Sequence, residues 1–158
     1  MNKTNVMRYL AQRKISYTQF EYPHRGLALD GISVAQLIGR DVDEVYKTLV
    51  TAGNSGRYYV FVIPANKELD LKKAAKCVVE KSISMVPKEE ILTLTGYVKG
   101  GCSPVGMKKR YYTTFDISVK VRESIIISAG KIGYQVELDP QKLIQLLRAG
   151  IADVIVES

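Results

Sequence analysis

The chain has 158 residues, 46% of them hydrophobic and 25% charged, with a formal net charge of +7. This composition excludes a disordered segment, and the length calls for one domain, residues 1–158, whose core can fold without disulfide or metal support. No apolar run reaches the roughly 20 residues that span a bilayer, and the opening MNKTNVMRYL lacks the apolar stretch of a signal peptide, so a cytoplasmic placement with no membrane partner is expected.

In chain order, Asn2 or Thr4 can cap a first helix that buries Val6, Tyr9 and Leu10 and ends near Lys14. Residues 15–22 alternate as a half-buried strand stopped by Pro23, and the loop HRGLALDG leads to a short helix capped by Ser33 and ended by Gly39. Asp41 and Glu44 have the spacing of a capping box, so one helical turn is expected over 42–46. The β-branched run KTLVTA, the turn GNSG and the apolar RYYVFVIPA predict a β-hairpin over 47–65, its second arm covered on both faces.

Asp70 opens a helix through Val79, basic on one face and carrying Leu71, Ala74, Ala75 and Val78 on the other. SISMV is a short strand, and Pro87 suits the first position of a helix that ends at Gly96. Beyond a glycine-rich loop, RYYTTFD and VRESIIIS are strands, and AGKIG turns the second into YQVEL as another hairpin. Asp139 and Pro140 open a last helix, with Leu143, Ile144, Leu146 and Leu147 inward and Gly150 as its stop, before a final strand in IADVIVE. The order implies one α+β domain around a mixed, largely antiparallel sheet.

Chemistry is expected in residues 95–116, TGYVKGGCSPVGMKKRYYTTFD. Gly96, Gly100, Gly101 and Gly106 let the backbone expose N–H groups, Pro104 stiffens the loop, and Lys108, Lys109 and Arg110 add charge suited to phosphates. The spacing of Gly101 and Gly106 fits a phosphate loop, but Met107 stands where its lysine is needed. A nucleophile elbow through Ser103 fails because Val105 is not glycine. Cys102 could be a nucleophile only with His24, the single histidine, as its base. Together with Cys77, these residues are too few for a zinc centre, so metal-free chemistry with no cofactor is expected. Lys47, beside the apolar TLV, is open to a structural salt bridge or a catalytic role, and so in the same way is Ser128. Excess Lys and Arg at 67–76, 81–88 and 108–110 favour a nucleic-acid partner over a membrane.

Taken together, Tyr46-Lys47-Thr48-Leu49, the run Pro64 to Lys73, Thr95-Gly96-Tyr97 followed by Gly100 to Arg110, and Ser128 to Gly133 resemble the YbaK/EbsC family. These are free-standing relatives of the editing domain of bacterial prolyl-tRNA synthetases, with a curved central sheet flanked by helices. The resemblance implies a trans-acting deacylase of mischarged tRNA, chiefly Cys-tRNA(Pro), with close relatives that clear Ala-tRNA(Pro), and prolyl-tRNA synthetase as a candidate partner. It implies that Lys47 holds the tRNA terminus and that Gly100, Gly101, Cys102, Ser103 and Pro104 form the G-x-x-x-P loop lining the aminoacyl site. Thr48, Ser128, Gly130 and Tyr22 complete the pocket. The same resemblance implies attack by the substrate's own thiol, giving a thiolactone in a lyase-like step. Leu29, Gln135 and Cys102 depart from the family pattern, which more often has phenylalanine, an acid and an aliphatic there. A non-catalytic module binding tRNA or nucleotides is the alternative from a different class, and a phosphoester-binding metabolic enzyme rests on the glycine loop alone.

Overall fold

A computed structural model describes residues 2–157. Helix α1, Asn5–Gln12, starts at Thr4, whose side chain accepts the Met7 N–H, so Thr4 rather than Asn2 is the cap. Val6, Met7 and Leu10 are its buried positions, whereas Tyr9 is only partly covered. Strand β1, Thr18–Glu21, is shorter than its alternating stretch. Helix α2, Gly31–Ile38, is capped by Asp30, not by Ser33: the Asp30 carboxylate accepts the Ser33 N–H at 2.7 Å. Gly39 ends it in the left-handed conformation, as expected. The turn at Val42–Glu44 is a single 3-10 turn without a side-chain cap, because Glu44 bonds Arg40 instead.

The expected hairpin forms between β2, Tyr46–Gly53, and β3, Tyr58–Pro64, with Lys47 opposite Ile63 and Thr48 opposite Val62. Asp70 caps α3, Leu71–Cys77, with two backbone N–H groups. That helix buries Ala74 and Ala75 but leaves Leu71, its first residue, 41% exposed. Strand β4, Ile83–Met85, is followed by α4, Lys88–Thr95, which Pro87 precedes as cap residue rather than opening as its first residue. Strand β5, Tyr112–Asp116, a 3-10 turn at Ile117–Val121, and the hairpin of β6, Ile125–Ser128, with β7, Tyr134–Leu138, come next. Helix α5, Pro140–Leu147, starts at Asp139 with proline in its first turn. It stops at Arg148 in the left-handed conformation, not at Gly150, which opens β8, Gly150–Ala152.

The strands form two sheets rather than one: β4-β2-β3-β5-β8, and β1-β7-β6. The smaller is antiparallel throughout, while β3–β5 and β5–β8 of the larger are parallel, so the arrangement is mixed and mostly antiparallel. The sheets meet at a bridge between Val45 and Ile126. Between them, Val60, Val62 and Phe115 pack on Ile125, Ile127 and Val136, closed off by Val6, Met7 and Leu10 of α1 and Leu143 of α5. The opposite face of the larger sheet puts Phe61 and Ile63 against Ala74 and Ala75 of α3. Strand β3 is therefore covered on both faces, and each fully buried side chain such as Phe61 contributes roughly 1.5–3 kcal/mol.

One consequence of this topology positions the site. Strand β4 covers only Thr51–Gly53 on the outer edge of β2. Val50 already turns its carbonyl outward to Val86, so in the antiparallel alternation Thr48 faces its N–H and C=O outward as well, where no strand pairs with it.

Candidate functional site

Beside this uncovered edge of β2 lies a cavity of about 270 Å³, walled by the start of α2, the glycine loop and the β6–β7 hairpin. Lys47 and Thr48 come from β2, Gly100 and Cys102 from the loop, and Ser128 and Gln135 from the hairpin, with Tyr22 and Leu29 on the remaining side. Segments far apart in the chain thus share one hollow. The close fit of Gly100 against Ala28 brings the 24–31 loop over it: a Cβ on Gly100 would stand 2.4 Å from that of Ala28. Gly31, on the same wall, lies so near Ala65 that a Cβ there would overlap the alanine's at 2.1 Å.

Four residues of the expected set stand outside this lining. The Gly101 N–H is held by the Val98 carbonyl at 3.0 Å, and Gly101 itself packs on Lys131 and Ile132. Ser103 is fully buried, its hydroxyl accepting the Val105 N–H. Pro104 lines a second cavity on the other side of the loop, and Gly130 packs against Val6 and Tyr97. Among the described residues, the N–H groups of Gly100 and Cys102, both in the cavity lining, donate to no protein acceptor.

Lys47 is half-buried, and burial pushes its ammonium below the ordinary lysine range, an effect opposed by Glu68. Among the described residues no carboxylate lies within ion-pair distance of it, which leaves the structural salt bridge without a partner. The Thr48 hydroxyl is buried and has no hydrogen-bond partner among the described residues. Gln135 is 5% exposed and brings an uncharged amide to the cavity. The Ser128 hydroxyl accepts the Gly130 N–H at 3.1 Å and so shapes the hairpin turn. Tyr22 is held by its N–H to the Gly133 carbonyl.

Burial pushes the Cys102 thiol up to about 11, and Thr95 only partly offsets this, so the sulfur stays protonated at neutral pH. His24 does not line the cavity: it packs on Gly133, and its Nδ1 accepts the Gly26 N–H at 2.8 Å. A Cys–His pair is therefore not assembled. Two charged lining residues escaped the sequence reading. Lys99 adds a second cation at the cavity, signalled only by its place before the two glycines. Asp30 adds a carboxylate there, held below the usual range chiefly by the Ser33 N–H; its signal was the cap itself, which was ascribed to Ser33.

Among the described residues no group of three or more His, Cys, Asp or Glu is placed to hold a metal ion, and no helix is long and apolar enough to cross a membrane. Residues 31–146 match the family described as the aminoacyl-tRNA editing domain. The chain is 41% identical over 152 residues to a protein of Enterococcus faecalis assigned as the Cys-tRNA(Pro)/Cys-tRNA(Cys) deacylase EbsC, covering 96% of this chain and 93% of that one. It is 28% identical over 98 residues to the proline–tRNA ligase of Pelobacter propionicus, which spans 62% of this chain and 17% of the ligase. A solved structure described as a trans-editing enzyme for prolyl-tRNA synthetase superposes with a TM-score of 0.82 over 99% of this chain and 100% of that one, at 24% identity, and so shares its fold. The family match and the likeness to EbsC establish that the chain belongs to the aminoacyl-tRNA editing domain family, in its YbaK/EbsC branch of deacylases.

Proposed function

We propose that residues 1–158 act as one trans-editing unit that clears mischarged tRNA in the cytoplasm, with Cys-tRNA(Pro) as substrate and prolyl-tRNA synthetase as a candidate partner. The observation that carries this reading is the meeting of Lys47 with the Gly100–Cys102 stretch across a single small cavity. A hollow of about 270 Å³ suits a short aminoacyl group on a terminal ribose. A second sieve of this kind is what cysteine and alanine demand, since a hydrophobic pocket separates near-isosteres by only about 1–3 kcal/mol.

The chemistry follows from which groups are free. The Gly100 and Cys102 N–H groups have no protein acceptor among the described residues and suit the charge that develops on an ester carbonyl oxygen. Lys47 and Lys99 suit the anionic tRNA terminus. The nucleophile on this reading is the substrate's own sulfur, as the family resemblance implies, and a protonated Cys102 with His24 outside the cavity lining supports it. That sulfur forms a bond to the ester carbonyl carbon as the carbon–oxygen bond to the ribose breaks. The electron pair leaves on the ribose oxygen, which takes up the proton given up by the thiol, so the products are a cyclic thiolactone and uncharged tRNA. Gly101, Ser103, Pro104 and Gly130 hold the loop and hairpin in place from outside the cavity. Tyr22, Leu29, Thr48, Ser128 and Gln135 select the aminoacyl group.

The test is ester loss from Cys-tRNA(Pro) and Ala-tRNA(Pro) with the natural protein, Lys47→Ala and Cys102→Ala. Cleavage of the cysteinyl ester, abolished by Lys47→Ala and retained by Cys102→Ala, is expected. Full activity in Lys47→Ala removes its role, and loss in Cys102→Ala restores a protein nucleophile. Equal cleavage of the alanyl ester, which has no thiol, replaces internal attack by water.

A further inference from the structure

We propose that the second cavity, on the far side of the glycine loop, binds a nucleotide of the same tRNA next to the esterified one. This rests on the editing reading above. The cavity measures about 200 Å³. Tyr9 of α1 and Tyr111 stand in its wall with Lys109 and Arg110, while Pro104 and Gly106 close it from the loop. No carboxylate lines it.

Each of these groups has a simpler use that can be checked. Arg110 reaches the Leu147 carbonyl at 3.4 Å and so supports the end of α5. The Tyr111 hydroxyl donates to the Leu94 carbonyl and its ring meets that of Tyr58 edge to face at 5.9 Å, so only the part of the ring that lines the cavity is left for a ligand. Tyr9 carries Arg13 stacked 3.3 Å from its ring centre, so one face of that ring already has a cation against it. Lys109 has no such use: it is exposed and pairs with no carboxylate among the described residues. Rings for a base beside unpaired cations for a phosphate are the combination that single-stranded RNA requires.

Connectivity supplies the second half of the argument. Gly100 and Cys102 line the first cavity, and Pro104 and Gly106 line the second. Two peptide units join Cys102 to Pro104, a span of at most about 7.6 Å. The same loop is therefore a thin partition, and a strand whose end lies on one side is within reach of the other. Pro104, expected to contact the aminoacyl group, instead becomes part of the neighbouring nucleotide's wall.

The experiment joins two probes. Titration of the full chain with adenosine 5′-monophosphate is followed by amide NMR, and binding of uncharged tRNA is measured across a salt series for the natural protein and Lys109→Ala. Lys109 is exposed, so this variant keeps the fold. The nucleotide is expected to shift the Gly106, Lys109 and Tyr111 amides, and tRNA is expected to displace it. Lys109→Ala should weaken tRNA binding about fivefold and lower the salt slope by about 1. Tyr9→Leu should weaken it by about tenfold. In Cys-tRNA(Pro) deacylation, both changes should appear in KM and leave kcat within about twofold. An absence of shifts at those amides, an unchanged salt slope in Lys109→Ala, or a bound nucleotide that tRNA fails to displace would each overturn the proposal. Deacylation by the natural protein with an unchanged slope in Lys109→Ala sinks this inference alone. Binding as expected without deacylation of any mischarged tRNA sinks the editing reading and, with it, the placement beside an esterified nucleotide, while the second cavity keeps its role in tRNA binding.

Discussion

Replacing Gly100 with alanine tests how the first cavity is closed. Gly100 sits at φ +88, and a Cβ there would lie 2.4 Å from the Cβ of Ala28 and 3.3 Å from its Cα. Two costs add. Holding an L-residue in the left-handed region costs about 1–2 kcal/mol, and forcing a methyl group into occupied space costs about 1–3 kcal/mol. Ala28 is exposed, so its loop has room to yield and the second cost falls toward the lower end. The total of about 2–4 kcal/mol corresponds to a fall in melting temperature of roughly 4–16 °C for a chain of this size. Yielding moves Leu29 and Tyr22 away from Lys47, so deacylation should fall by about 100-fold, the effect of a misplacement near 1 Å. The assay is thermal unfolding of Gly100→Ala, Ala28→Gly and the double variant, with ester loss from Cys-tRNA(Pro) measured on each. The second change removes the methyl that is struck, so the double variant should recover the packing cost and not the backbone cost. A single variant that melts within a degree of the natural protein, or a double variant no more stable than the single, refutes this account of the closure.

Three further outcomes are expected. Lys47 titrates below the unfolded lysine value because of burial, so the unfolded chain binds more protons between the two values and the stability contributed there rises with pH across that window. Lys47→Met should accordingly raise the melting temperature at neutral pH while deacylation falls by about 100-fold; a variant both active and no more stable contradicts the assignment. With its thiol near 11, Cys102 should react with iodoacetamide at pH 8 about 100-fold more slowly than an ordinary thiol, which timed mass spectrometry reads against an added unstructured cysteine peptide. Val79, just beyond α3, holds a β-branched side chain at φ 59 with 91% exposure, so Val79→Gly should stabilise the protein by about 1 kcal/mol, or roughly 2–4 °C by thermal unfolding.

What the sequence makes legible follows from how local the cause is. The hairpin over β2 and β3 is written in alternating β-branched and aromatic residues around GNSG, and the carboxylates of Asp70 and Asp139 cap helices by reaching N–H groups two or three residues ahead. The choice of Asp30 over Ser33 already depends on which residue keeps an extended backbone, and Asp30 does, at ψ 164. Arg148 in place of Gly150 is a non-glycine left-handed stop, which residue type does not announce. The site is less local still. No periodicity links Lys47 to Gly100; only the resemblance joined them, and the cavity is where the fold brings them together. Within the loop, the sequence offers adjacent glycines that look interchangeable as amide donors. The turn from Val98 decides between them, because it consumes the Gly101 N–H and leaves those of Gly100 and Cys102 on either side without a protein acceptor among the described residues. A glycine run thus provides freedom of direction, and a single carbonyl outside it decides which amide is already engaged. Val98 thus shapes the loop through its carbonyl, while its side chain, 49% exposed, lines neither cavity.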